Sequence, residues 1–142
     1  MSIPSASAIT VETAVNAPIE KVWDVWTNPK HIVNWNNASP DWHTPHAEND
    51  LRKSGKFTYT MAAKNGSFKF DFEGVYFNVE EHKIIEYTIA DGRKVKVNFT
   101  ALGDNTKVVE TFDPENQNSA EMQRAGWQAI LNNFKTYAEE NQ

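Results

Sequence analysis

The chain of 142 residues has no cysteine. That excludes a disulfide scaffold, a thiolate zinc site and a cysteine nucleophile. It has no apolar run near the ~20 residues of a membrane span. Its first residues lack the basic start and apolar stretch of a signal peptide. The expected location is therefore cytoplasmic, without a membrane partner. Positive charge is also scarce. Lys and Arg total 14 against 19 Asp and Glu, a net charge of −5, with a pI near 5.3. Nucleic acid and anionic membranes both need a basic face, so neither is expected as a partner. No G-x-S-x-G elbow, Walker loop or dinucleotide fingerprint is present. No repeat, low-complexity tract or linker interrupts the chain, which reads as one domain over residues 1–142, with 1–7 as a loose tail.

What the chain does have is aromatic side chains. The 5 Trp, 4 Tyr and 8 Phe make 12% of the residues, yet the mean hydropathy is −0.64. A polar chain is carrying large apolar groups, which either pack a dense core or line a pocket.

Residue periodicity organises the chain. Ile9, Val11, Thr13 and Val15 alternate with polar neighbours, which predicts a half-buried strand. Pro18 suits the first turn of a helix whose apolar face is Ile19, Val22, Trp23 and Trp26. Asn28-Pro29 ends that helix and starts a second, short one holding Ile32, Val33 and Trp35. Residues 36–49 read as a polar loop, followed by a short strand over 50–53. Phe57, Tyr59 and Met61 alternate, Asn65-Gly66 signals a hairpin, and Phe68, Phe70 and Phe72 follow. The apolar parity changes after that, to Val75, Phe77 and Val79, which predicts a β-bulge near Glu73-Gly74. Ile85, Tyr87 and Ile89, then Val95, Val97 and Phe99, predict two strands joined at Asp91-Gly92. Residues 106–112 form a last strand, closed by Asp113-Pro114. From about 119 to 139 the pattern is a long amphipathic helix, capped by Asn118 or Ser119. Trp127, Ile130, Leu131, Phe134, Tyr137 and Ala138 share its apolar arc, while Arg124, Gln128, Asn132 and Lys135 face away. An antiparallel meander with one apolar face needs a cover, and the long helix is the element long enough to supply it.

Several segments resemble a known superfamily. The run APIEKVWDVWTNP at 17–29 is similar to the opening signature of the START/birch-pollen-allergen (SRPBCC) superfamily. GWQAILNNFK at 126–135, with FEGVY at 72–76 and ETFDPE at 110–115, resembles its activator-of-heat-shock-protein-ATPase homologue branch. The resemblance implies an α+β helix-grip fold: a curved seven-stranded antiparallel sheet wrapped around a long C-terminal helix, with two short helices after strand 1. It also implies a cavity between sheet and helix that binds a hydrophobic small molecule. Some branches of the superfamily catalyse cyclisation or hydrolysis in that cavity, and the branch name comes from a co-chaperone with a longer chain.

The candidate site residues follow from strand and helix faces. Phe57, Tyr59, Phe70, Phe72, Tyr87, Phe99 and Phe112 can face the helix, and Trp127 and Leu131 can answer from it. Trp35, with Trp23 and Trp42, is expected near the mouth. Core packing is the alternative for each. Glu110 shares a face with Val108 and Phe112. If that face looks inward, Glu110 is a buried carboxyl with a raised pKa and a polar anchor for a ligand. If Val109 and Thr111 face inward, it is solvated. His43 and His46 lie near Asp41 and Glu48, but the spacing fits no metal motif. No metal, cofactor or catalytic residue is assigned. Three functions remain: a soluble protein holding an aromatic or lipid-like ligand, an enzyme of cyclase, dehydratase or hydrolase type in the same cavity, or a chaperone-ATPase partner.

Overall fold

In the computed structural model, residues 8–140 are described, and the expected tail at 1–7 lies outside them. The elements are β1 (Ile9–Val15), α1 (Ile19–Thr27), α2 (Pro29–Trp35), β2 (Trp42–Asn49), β3 (Lys56–Ala63), β4 (Lys69–Glu80), β5 (Ile84–Ile89), β6 (Lys94–Leu102), β7 (Asn105–Phe112) and α3 (Ala120–Glu140). One antiparallel sheet has the order β1-β7-β6-β5-β4-β3-β2. Consecutive hairpins build β2 to β7, and β1 closes against β7 from Ile9↔Phe112 to Val15↔Thr106. The sheet curls around α3, which is the helix-grip arrangement.

Local chemistry explains the element ends. The Asn28 side chain accepts a hydrogen bond from the Lys30 amide at 3.0 Å, and Pro29 opens α2. The Ser119 hydroxyl accepts from the Met122 amide at 3.1 Å, capping α3. Leu131, Phe134 and Ala138 are fully buried along the inner side of α3. Phe134 sits in a cleft between Trp26 and Trp35, with ring centroids 4.8 and 4.9 Å away. Arg124 and Gln128 do more than face solvent. They donate to the backbone carbonyls of Thr10 at 2.8 Å and Glu12 at 3.2 Å, so α3 satisfies acceptors on the outermost strand.

Three local expectations are corrected. Residues 42–49 are a strand rather than part of a loop. This strand lies at the sheet edge, where Pro45 need not donate to a ladder, and its register slips between His43 and His46. Residues 50–53 form a turn instead of a strand, with the Arg52 amide bonded to Asp50 O and the Gly55 amide to Arg52 O. The bulge falls at Phe77, between Tyr76↔Tyr87 and Asn78↔Glu86, and not at Glu73-Gly74. Tyr76 is therefore the inward residue, while Val75 is exposed. Gly74 lies in regular register opposite Phe57. Its role is space: a Cβ there would sit 2.4 Å from Phe57 Cε2. Glycine lets the Phe57 ring lie directly over the β4 backbone.

Candidate functional site

The inner faces of β3, β4, β5 and β7 and the first half of α3 line an open-mouthed cavity of about 330 Å³. Strand alternation aims Phe57 and Tyr59 of β3, Phe70, Phe72 and Tyr76 of β4, and Ile85 and Tyr87 of β5 into it. Trp127 and Ile130 supply the helical wall, and Trp26 and Trp35 close one side. The rings are mutually supported. Phe57 lies 4.9 Å from Tyr59, 5.7 Å from Phe72 and 4.8 Å from Tyr87, centroid to centroid.

The polar end is built by the loop between β7 and α3. Gln123, on α3, is nearly buried and bonds this loop three times. Its Oε1 accepts from the Glu115 amide at 2.8 Å, and its Nε2 donates to the Glu115 and Asn118 carbonyls at 3.0 and 2.8 Å. The Glu115 carboxylate accepts from the Gln117 and Asn118 amides. Arg93, from the β5–β6 turn, also reaches the cavity while paired with Asp91 at 2.8 Å.

Glu110 points inward. It is 6% exposed, between fully buried Val108 and Phe112 on the same strand face. Burial pushes its carboxyl up to about 8. Among the described residues, no hydrogen bond or ion pair reaches that carboxyl. Burial also raises the Tyr59 and Tyr87 hydroxyls, and the nearby Glu110 adds to the rise. Tyr76 is raised in the same way, while its hydroxyl donates to Asn49 Oδ1 at 2.5 Å. The phenols therefore stay neutral across the ordinary pH range. Glu86, the neighbouring buried carboxyl in β5, alternates away from Tyr87 and accepts from Asn78 Nδ2 at 2.8 Å.

Of the residues picked from sequence, Trp35, Phe57, Tyr59, Phe70, Phe72, Tyr87, Glu110 and Trp127 lie on the cavity wall. Phe99, Phe112 and Leu131 lie behind it in the packed core, at 5%, 0% and 0% exposure. Trp23 is also core, edge-on to Phe99 at 5.2 Å. Trp42 does not line this cavity; its ring meets Phe68 and the rim residue Phe70 edge-on at 6.0 and 6.1 Å. The sequence reading missed Trp26, Arg93 and Gln123. A glutamine on an otherwise apolar helical arc was the available signal for Gln123.

This geometry defines a START-like helix-grip protein of the SRPBCC superfamily. The chain belongs to the Activator of Hsp90 ATPase homolog 1-like family, whose pattern matches residues 16–139. It is similar to an AHSA1-like protein from Aeromonas hydrophila, with 44% identity and a TM-score of 0.88 over 94% of this chain and 92% of that one. A protein from Cytophaga hutchinsonii is 59% identical, with a TM-score of 0.81 over 94% of this chain and 92% of that one. A protein from Nitrosomonas europaea shares the fold at 16% identity and a TM-score of 0.82, over 97% of each chain. No curated protein matches the chain. Among the described residues, no helix is long and apolar enough to cross a membrane.

Proposed function

We infer that the chain is a binding protein for a hydrophobic small molecule, aromatic or lipid-like, held between the sheet and α3. The observation that carries this reading is the aromatic cavity of about 330 Å³ with one unpartnered carboxyl on its wall. Ligand sites are concave and mostly apolar, with a few placed polar groups, and this cavity has that make-up. Phe72, Tyr59 and Trp127 supply flat walls, and Glu110 supplies the anchor. The test is native purification followed by mass spectrometry of the extracted small molecules, with tryptophan fluorescence against a hydrophobic library. A co-purifying ligand that quenches Trp127 supports the reading. A ligand-free protein whose fluorescence ignores the library sinks it.

A second reading is favoured by the same carboxyl. A buried acid poised near 8 can exchange a proton with a bound substrate at neutral pH, which suits a cyclase, dehydratase or hydrolase. Turnover that collapses in Glu110→Gln without loss of folding supports it. Turnover unchanged in that variant removes it. Activation of a heat-shock-protein ATPase, which the family's name describes, is tested by an ATPase assay with the purified chaperone.

A further inference from the structure

The polar groups around the cavity are almost all occupied. Arg93 pairs with Asp91, Gln123 bonds the loop, and Glu115 holds two loop amides. Asn118 Nδ2 donates to Glu115, and Tyr76 donates to Asn49. Glu110, nearly buried on the wall, makes no hydrogen bond or ion pair among the described residues; the Tyr59 and Tyr87 phenols lie near it, and the cation on the same wall, Arg93, is held by Asp91. A carboxyl buried without a partner gains from a polar or cationic partner rather than from further hydrocarbon contact. The cavity that Glu110 lines is largely aromatic, and the faces of such rings carry negative electrostatic potential and attract cations.

We propose that the cavity recognises an amphipathic amine, its ammonium group seated against Glu110 and its flat apolar body held among Phe57, Tyr59, Phe72 and Trp127. This rests on the binding reading above and names the ligand class. Binding is a proton exchange. The neutral Glu110 carboxyl loses its proton to solvent, and the resulting carboxylate pairs with the ligand's ammonium, so charge balances. The ionisable groups facing the site are Tyr59 from β3, Tyr76 from β4, Tyr87 from β5, Arg93 from the β5–β6 turn and Glu115 from the loop. From α3 come Gln123, Trp127 and Ile130, none of which titrates. A cationic ligand must therefore bind more tightly as pH rises toward 8, where Glu110 gives up its proton more readily. A neutral ligand with an acceptor oxygen behaves in the opposite way, losing its carboxyl donor above 8.

The experiment is isothermal titration calorimetry of the full chain with 2-naphthylmethylamine, 2-naphthylmethanol and 2-acetylnaphthalene at pH 6, 7 and 8. The amine is expected to bind about tenfold or more tighter than the alcohol at pH 8. Its affinity should rise between about tenfold and fiftyfold from pH 6 to pH 8, with about one proton released at pH 7 between buffers of different ionisation heat. Glu110→Gln should flatten the pH slope and weaken the amine about tenfold, leaving the alcohol within about threefold. Glu115→Gln should keep the slope, and thermal unfolding verifies that both variants fold. The proposal is overturned if the alcohol or ketone binds as tightly as the amine, or if the slope is absent. It is also overturned if the slope survives in Glu110→Gln. Binding of the alcohol or ketone alone overturns the amine assignment and leaves the binding function standing. Failure of all three probes overturns the amine proposal, whereas the binding reading falls only with a ligand-free protein that ignores the hydrophobic library.

Discussion

The indole of Trp127 lies flat on the ring of Phe112, with centroids 3.9 Å apart and planes within 9° of parallel. Phe112 is fully buried in β7, whereas Trp127 is partly buried on the wall of the cavity. One contact thus joins sheet to helix and separates core from cavity. Trp127→Ala is expected to destabilise the chain by about 3 kcal/mol, the low end for deleting a large aromatic because the site is not fully enclosed. Trp127→Phe should retain most of the stack. Urea unfolding of the two variants checks the order.

Glu110 makes stability depend on pH in an unusual direction. The folded state raises this carboxyl from 4.5 to about 8. Between those values the folded chain binds the proton more tightly than the unfolded one. Its contribution is therefore fully present below about 4.5 and lost as pH rises toward 8. The expected slope is up to about 1.4 kcal/mol per pH unit. Glu110→Gln should match the wild type near pH 5 and exceed it at pH 8. Denaturant midpoints across that range, taken as the difference between the two proteins, cancel the other titrating groups. A constant difference would contradict the burial of this side chain.

Gly74→Ala tests why glycine occupies β4. The added methyl would lie 2.4 and 2.6 Å from two atoms of the Phe57 ring and 3.0 Å from Thr88 O. Phe57 is 2% exposed and cannot swing aside freely. A loss of about 1–3 kcal/mol is expected. Phe57→Leu in the same background should recover part of it, a coupling that a simple backbone-entropy effect would not produce.

Gln123→Ala should release the loop between β7 and α3. It removes three hydrogen bonds from a nearly buried amide and leaves the Glu115 amide without its acceptor. The expected cost is about 1–3 kcal/mol. Hydrogen exchange at the Glu115 amide should accelerate well beyond that at Val108, which sits in the sheet ladder.

Much of the fold is legible in the sequence because it follows from local periodicity. Alternation over 9–15, 57–61, 85–89 and 95–99 marks strands, Asn65-Gly66 and Asp91-Gly92 mark hairpins, and the apolar arc from Trp127 to Ala138 marks α3. What escapes are features without a local signature. The strand at 42–49 contains Pro45 and two histidines, and it forms because β3 offers it an edge. The bulge at Phe77 was displaced to Gly74 because both positions perturb the same apolar run, and a glycine is the more visible of the two.

The sequence by itself determined the element types, the antiparallel meander and the aromatic stock, since backbone propensity and side-chain period act over a few neighbouring residues. Only the tertiary structure decided which rings fill the core and which bound a cavity. It also decided which way Glu110 points. On a strand, both faces are open to a side chain until another element covers one of them. Here Trp127 of α3 stacks on Phe112 and, with the rings of β3, β4 and β5, closes over Glu110, and that placement turns an ordinary surface-type residue into a buried, unpartnered acid.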